Sequence, residues 1–244
     1  MAIPQKVAMV TGGAKRVGRA IVEKLAGAGY DIAFTYLSSE GEAHELQRKI
    51  ESLGRACLAI RVDLTDPEHA TAQIEEEFHQ QHKRLDVLVN SASLYKGARL
   101  AKTDVNLMNV LSAIHVHTPL LLCQKFETLL RSSSGHVINM VDLLAEKPWP
   151  EFLAYCASKA ALANLTLGLA KELAPEVTVN GIAPGVVDWP DDYPEADRQK
   201  YLKRVPLGRA GTPEDVAHLV HYLATEGSYI TGQIIRLDGG RSIT

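Results

Sequence analysis

Short apolar runs rich in β-branched residues alternate with longer stretches of helical periodicity along all 244 residues. That alternation decides the architecture. Strands joined by crossovers of a dozen or more residues pair in parallel, and a parallel sheet has to be covered on both faces. The runs lie at 6–10, 31–36, 56–62, 86–90, 136–141, 177–182 and 233–237. Between the first two, Val17, Ile21 and Leu25 fall on one helix face, and Gly27 and Gly29 close that helix. Further helices are expected over about 40–53, 67–82, 104–131 and 152–174. Thr65-Asp66-Pro67 and Thr212-Pro213 read as helix starts, a capping side chain followed by proline. The sequence therefore predicts a single-domain α/β fold over 1–244, a Rossmann-type doubly wound parallel sheet with helices on both faces. One long irregular stretch, about 184–205 with Pro184, Pro190 and Pro194, is expected to be a functional loop beside the substrate.

Charge narrows the partners. With 26 basic against 29 acidic residues and a net charge of −3, the chain lacks the basic face that nucleic acid requires. Cys57, Cys123 and Cys156 show no CxxC spacing, so neither a disulfide framework nor a zinc site is indicated, and the histidines show no metal-ligand spacing. The start, Met1-Ala2-Ile3-Pro4-Gln5-Lys6, has no signal-peptide pattern, and no run approaches 18 apolar residues. The expectation is a cytoplasmic protein with no membrane span.

The first strand ends in Thr11-Gly12-Gly13-Ala14-Lys15-Arg16-Val17-Gly18. Glycines there let backbone amides approach a pyrophosphate at a helix N-terminus, so Gly12, Lys15, Arg16 and Val17 are expected to bind a dinucleotide. An NAD site places an acid about 20 residues further on to bond the ribose 2′-hydroxyl. Here that region reads Tyr36-Leu37-Ser38-Ser39, with no acid before Glu40, and Tyr36 and Ser38 are expected beside the cofactor. Lys15 and Arg16 instead offer cations to a 2′-phosphate, which favours NADPH/NADP. Tyr155 and Lys159 share a helix face four residues apart. An ammonium beside a phenol supports proton exchange while a nicotinamide exchanges hydride.

These motifs, in order, resemble the short-chain dehydrogenase/reductase family over nearly the whole chain. Other landmarks are Val62-Asp63-Leu64, Asn90-Ser91-Ala92-Ser93, Asn180-Gly181-Ile182-Ala183-Pro184-Gly185 and Leu237-Asp238-Gly239-Gly240. The resemblance implies that Asp63 and Leu64 meet the adenine, and that Asn90, Ser91 and Ala92 lie beside the cofactor. It places Lys159 on the nicotinamide ribose and Pro184-Gly185 by the nicotinamide, in a homotetramer. Four positions depart from the usual pattern: Arg16 replaces the middle glycine of the turn, and Asp142 stands where the family has serine, 13 residues before Tyr155. His115 replaces a helix asparagine of the proton relay, and Ser93 replaces glycine. Arg16, the Asp142–Tyr155–Lys159 set and an aromatic at Tyr95 resemble the pteridine reductases and dihydromonapterin reductases. That resemblance implies reduction of a C=N bond in a pterin, with Tyr155 as proton donor, Asp142 orienting it, Arg16 on cofactor phosphate, and Ser93 and Tyr95 shaping the slot. Trp189 and Tyr193 either cover that slot or anchor their loop. Two other readings stay open: a carbonyl or 3-oxoacyl-type reductase, and a non-catalytic NADP-binding sensor.

Overall fold

The computed structural model describes residues 5–189 and 193–244. Pro190 and the segment 1–4 lie outside the described residues. Seven strands form one sheet: β1 (Val7–Val10), β2 (Asp31–Tyr36), β3 (Cys57–Arg61), β4 (Val87–Asn90), β5 (His136–Met140), β6 (Thr178–Pro184) and β7 (Ile234–Leu237). Their spatial order is β3-β2-β1-β4-β5-β6-β7, and every pairing is parallel. Order reverses between β1 and β4, so the connections on either side leave in opposite directions and open a crevice at the strands' carboxyl ends.

One face is covered by α1 (Arg16–Gly27), α2 (Glu40–Ser52) and α8 (Pro213–Thr225), which bury Ile21, Leu46 and Val220 against β1 and β2. The other carries α3 (Pro67–Gln81), α5 (Thr118–Ser133) and α6 (Leu153–Glu172), where Phe78 and Phe126 meet edge-on at 5.0 Å. Each such side chain contributes about 1.5–3 kcal/mol on leaving water. The start signals act as read: Asp66 accepts from His69 N, and Thr212 and Asp215 form a reciprocal capping box.

Two expectations change. The helix over 104–131 is α4 (Val105–Ser112) continued by a π segment, Ala113–His117, into α5. One turn is therefore wider than a 3.6-residue spacing allows, a local departure that periodicity does not register. The stretch 184–205 is not irregular throughout, because α7 (Glu195–Leu202) occupies its second half. Pro194 stands just before its first turn, where proline's missing N–H removes no helical bond.

By length and composition, Val105–Ser133 and Leu153–Glu172 are apolar enough to span a bilayer. Here both lie against the sheet, burying Leu122, Phe126, Leu130 and Leu169 in its core. Val105, Met108, Leu120, Leu153 and Leu167 remain exposed.

Candidate active site

The glycine turn fits β1 to its neighbours without room for side chains. Gly12 has φ +67°, and a Cβ there would stand 2.8 Å from Ala92 Cα; a Cβ on Gly18 would stand 2.1 Å from Gly12 O. Thr11 Oγ1 accepts from Ser91 N and Ala92 N at 2.9 and 3.0 Å, tying the turn to the end of β4. Arg16 adopts φ +53°, the left-handed conformation that glycine tolerates and that costs other residues about 1–2 kcal/mol.

This backbone turn sends the two cations apart. Lys15 pairs with Glu42 on α2 at 2.6 Å, on the β2 side of the crevice. Arg16 pairs with Asp188, beyond β6, so it reaches past the ends of β4 and β5. Joint placement of both side chains beside a 2′-phosphate is therefore corrected. Lys15 stays near the end of β2, and Arg16 faces the opposite half of the crevice.

A single cavity of about 1450 Å³ runs along the carboxyl ends of the strands. Its β2–β3 end is lined by Gly12, Lys15, Val17, Tyr36, Asp63 and Leu64. Its middle takes in Arg16, Ser91, Ala92, Lys159, Pro184 and Gly185, and Ser93, Tyr95, Asp142 and Tyr155 continue it. Two expected residues do not line it. Leu37 rather than Ser38 faces the space, and Asn90 is buried beneath it. Asn90 Nδ2 donates to Asn139 Oδ1 at 2.8 Å, and Asn139 Nδ2 to Thr166 Oγ1 at 2.9 Å, a polar tie from β4 through β5 to α6.

The chemistry gathers where α6 passes the end of β5. Tyr155 donates its phenol proton to Asp142 Oδ2 at 2.7 Å, while Asp142 Oδ1 accepts from Leu144 N at 2.8 Å. Burial, reinforced by the neighbouring carboxylate, holds the Tyr155 phenol well above its ordinary value. Burial also lifts Asp142 above the usual carboxylate range, against the opposing pull of Leu144 N, Tyr155 and Lys159. The phenol thus stays protonated. Lys159, 2% exposed, donates to Met140 O at 2.7 Å, and burial lowers its ammonium to about 8. An ammonium carries three donors; with one on Met140 O, the others suit ribose hydroxyls, so the residues present fit a nicotinamide dinucleotide.

His115 sits in the π segment and its tautomer follows from its partners. Leu94 N donates to Nε2 at 3.3 Å, which makes Nε2 an acceptor and places the proton on Nδ1. Nδ1 then donates to Ser158 Oγ at 2.8 Å, whose own proton goes to Tyr155 O at 2.7 Å. Ser93 Oγ donates to the same Nε2 at 2.9 Å. Burial, with Lys159 nearby, pushes His115 down to about 2, so the ring is a fixed neutral bracket rather than a proton carrier.

Tyr95 stacks on Phe152 (ring centroids 4.6 Å, planes 22° apart) and stands edge-on to Tyr155 at 5.0 Å. Trp189 and Tyr193 lie tilted by 39° with centroids 4.9 Å apart, and Tyr201 meets Trp189 at 5.4 Å and Trp149 at 6.3 Å. Sequence reasoning did not single out Trp149, Phe152, Tyr201 or Arg241, all of which line the cavity. For the first two a signal exists, since both fall within the thirteen residues that set Asp142 in register with Tyr155. Tyr201 lies in the helix read as loop.

Comparison with known proteins agrees over the same length. A family model described as enoyl-(acyl carrier protein) reductase matches residues 12–242. A 3-oxoacyl-[acyl-carrier-protein] reductase of Staphylococcus aureus is 34% identical over 248 residues, 96% of this chain and 97% of its own. An L-2,3-butanediol dehydrogenase of Corynebacterium glutamicum is 35% identical over 255 residues, 96% and 98% of the two chains. A crystal structure of a short-chain dehydrogenase from Burkholderia cenocepacia in complex with NADP superposes with TM-score 0.90 at 33% identity, covering 97% of each chain.

Proposed function

The chain belongs to the short-chain dehydrogenase/reductase family, and on that premise we propose that it reduces a C=N bond of an oxidised or dihydro-pterin with NADPH. When bound, the cofactor supplies hydride at the nicotinamide. Lys15, in exchanging Glu42 for a 2′-phosphate, would favour the phosphorylated dinucleotide, as would the lack of an acid at 37–39, and the bound NADP of the Burkholderia relative supports the same choice. Lys159 would hold the ribose with the donors that Met140 O leaves spare.

The observation that carries the pterin reading is the 2.7 Å hydrogen bond from Tyr155 to Asp142. A carboxylate beside the reactive phenol keeps it protonated, so Tyr155 holds the proton that the nitrogen takes up when hydride reaches the adjoining carbon. The carboxylate also accepts from N–H groups along a pterin edge. A ketone brings no such donors, so for it the carboxylate would do no more than hold Tyr155. Tyr95 on Phe152 adds a flat face against which a fused ring stacks. The apolar residues left outside on α4 to α6 support assembly of the chain as a homotetramer.

A second reading, ketone reduction, is favoured by the names of the two sequence relatives. The test is steady-state NADPH oxidation with dihydrobiopterin and with acetoin, side by side. Turnover of dihydrobiopterin at the higher kcat/KM is expected. Turnover of acetoin alone would replace the pterin reading with the ketone one.

A further inference from the structure

The cavity extends past Tyr155 to a cationic end. Trp149 packs against the buried cluster of Leu111, Leu144, Tyr155 and Cys156; Tyr201 meets Trp149 edge-on; and the Arg241 guanidinium lies over the Tyr201 ring, 5.4 Å from its centroid. Arg241 Nε is buried without a hydrogen-bond partner. Arg204 lines the same space at its rim. Among the described residues neither arginine has a carboxylate within ion-pair distance, because the nearby acids are engaged elsewhere. Glu146 is taken by Arg236 and Asp188 by Arg16, Asp142 holds Tyr155, and Asp238 accepts from Gly240 N and Ser242 N.

Arg241 follows β7, at the opposite edge of the sheet from Asp63 after β3 and separated by three strands from the glycine turn after β1, where a dinucleotide's adenosine and pyrophosphate would lie. A half-buried, unpaired guanidinium on an aromatic platform favours an anion, through charge-assisted hydrogen bonds in a partly desolvated place. We propose that Arg241, with Arg204 at the rim, forms an anion subsite at the far end of the substrate cleft, so that the natural substrate carries a carboxylate or phosphate on the side chain remote from the reduced bond. The proposal deepens the pterin reading and rests on it for the identity of the ring alone.

The experiment compares matched pairs that differ by one anion: dihydroneopterin with its monophosphate, and pentanone with levulinate. Two readouts are taken on the NADP(H)-loaded protein: kcat/KM from NADPH oxidation, and Kd from quenching of Trp149 and Trp189, which flank Tyr201. The anionic member of a pair should win by at least tenfold, through KM and Kd rather than kcat. R241Q and, separately, R204Q should each pull that ratio towards one. A wild-type ratio near one in both pairs, or a ratio above ten that survives both substitutions, overturns the subsite. If levulinate alone shows the Arg241-dependent advantage and no pterin binds, the pterin reading falls while the anion subsite stands. If both pterins are turned over equally well and levulinate has no advantage over pentanone, the reverse holds.

Discussion

Replacing Lys159 by methionine should make the protein inert and, near neutral pH, more stable. The ammonium is 2% exposed, and burial brings it from 10.5 in a free chain to about 8 in the fold. That displacement corresponds to about 3 kcal/mol of lost stability wherever the side chain is charged in both states. The sign follows from proton counts. Between about 8 and 10.5 the unfolded chain holds the proton and the folded one does not, so stability rises with pH through that window and is depressed in full below it. Methionine is apolar at every pH, but it abandons the carbonyl of Met140, at a cost of about 1 kcal/mol. The variant should therefore gain about 2 kcal/mol near neutrality, roughly 4–8 °C in Tm for a chain of this length. Above the window the order should invert, leaving wild type ahead by about 1 kcal/mol. Urea unfolding of both proteins without cofactor, across this pH range, gives the difference directly, and titrations common to both cancel. A difference that is flat in pH, or a variant weaker than wild type near neutrality, would refute the reasoning.

The other expectations concern chemistry. Tyr155→Phe keeps the ring's packing but removes the proton, so turnover should fall by about 10²–10⁴ while NADPH still binds, as fluorescence titration would show. Asp142→Asn removes the charge that raises the Tyr155 phenol, so the alkaline limb of the pH–rate profile should move to lower pH; an unmoved limb would mean that the carboxyl does not govern Tyr155. The same variant should lose more kcat/KM on dihydrobiopterin than on acetoin. Lys15→Ala should weaken NADPH by roughly ten- to a hundredfold and NADH little, since one charged hydrogen bond is at stake. Equal affinity of wild type for both cofactors, measured by the same titration, would remove that role from Lys15.

What could be read from the sequence was whatever depends on local pattern. Strand and helix alternation and the capping at Asp66 and Thr212 survive folding because spacing specifies them, and the thirteen-residue register between Asp142 and Tyr155 was legible through the family resemblance. Three things did not show. The direction of Arg16 depends on a positive φ that no side-chain chemistry announces. The π turn around His115 leaves the surrounding periodicity nearly intact. The tautomer of His115 needs Ser93, Leu94 and Ser158, from two other parts of the chain, to close around it. In each case a contact distant in sequence overrides a local preference.

The Arg16–Asp188 pair links the two banks of the crevice through which a dinucleotide must pass. Both side chains keep substantial contact with water, and pairs of that kind contribute about 0–1 kcal/mol. Breaking this pair therefore shifts an equilibrium by a factor of at most about five, so a ligand that must part the two side chains to enter would lose no more than about sixfold in apparent affinity. The pair is thus a weak latch across the dinucleotide's path rather than a barrier to it. Added salt, or an anion bound at Arg16, would remove what little it holds.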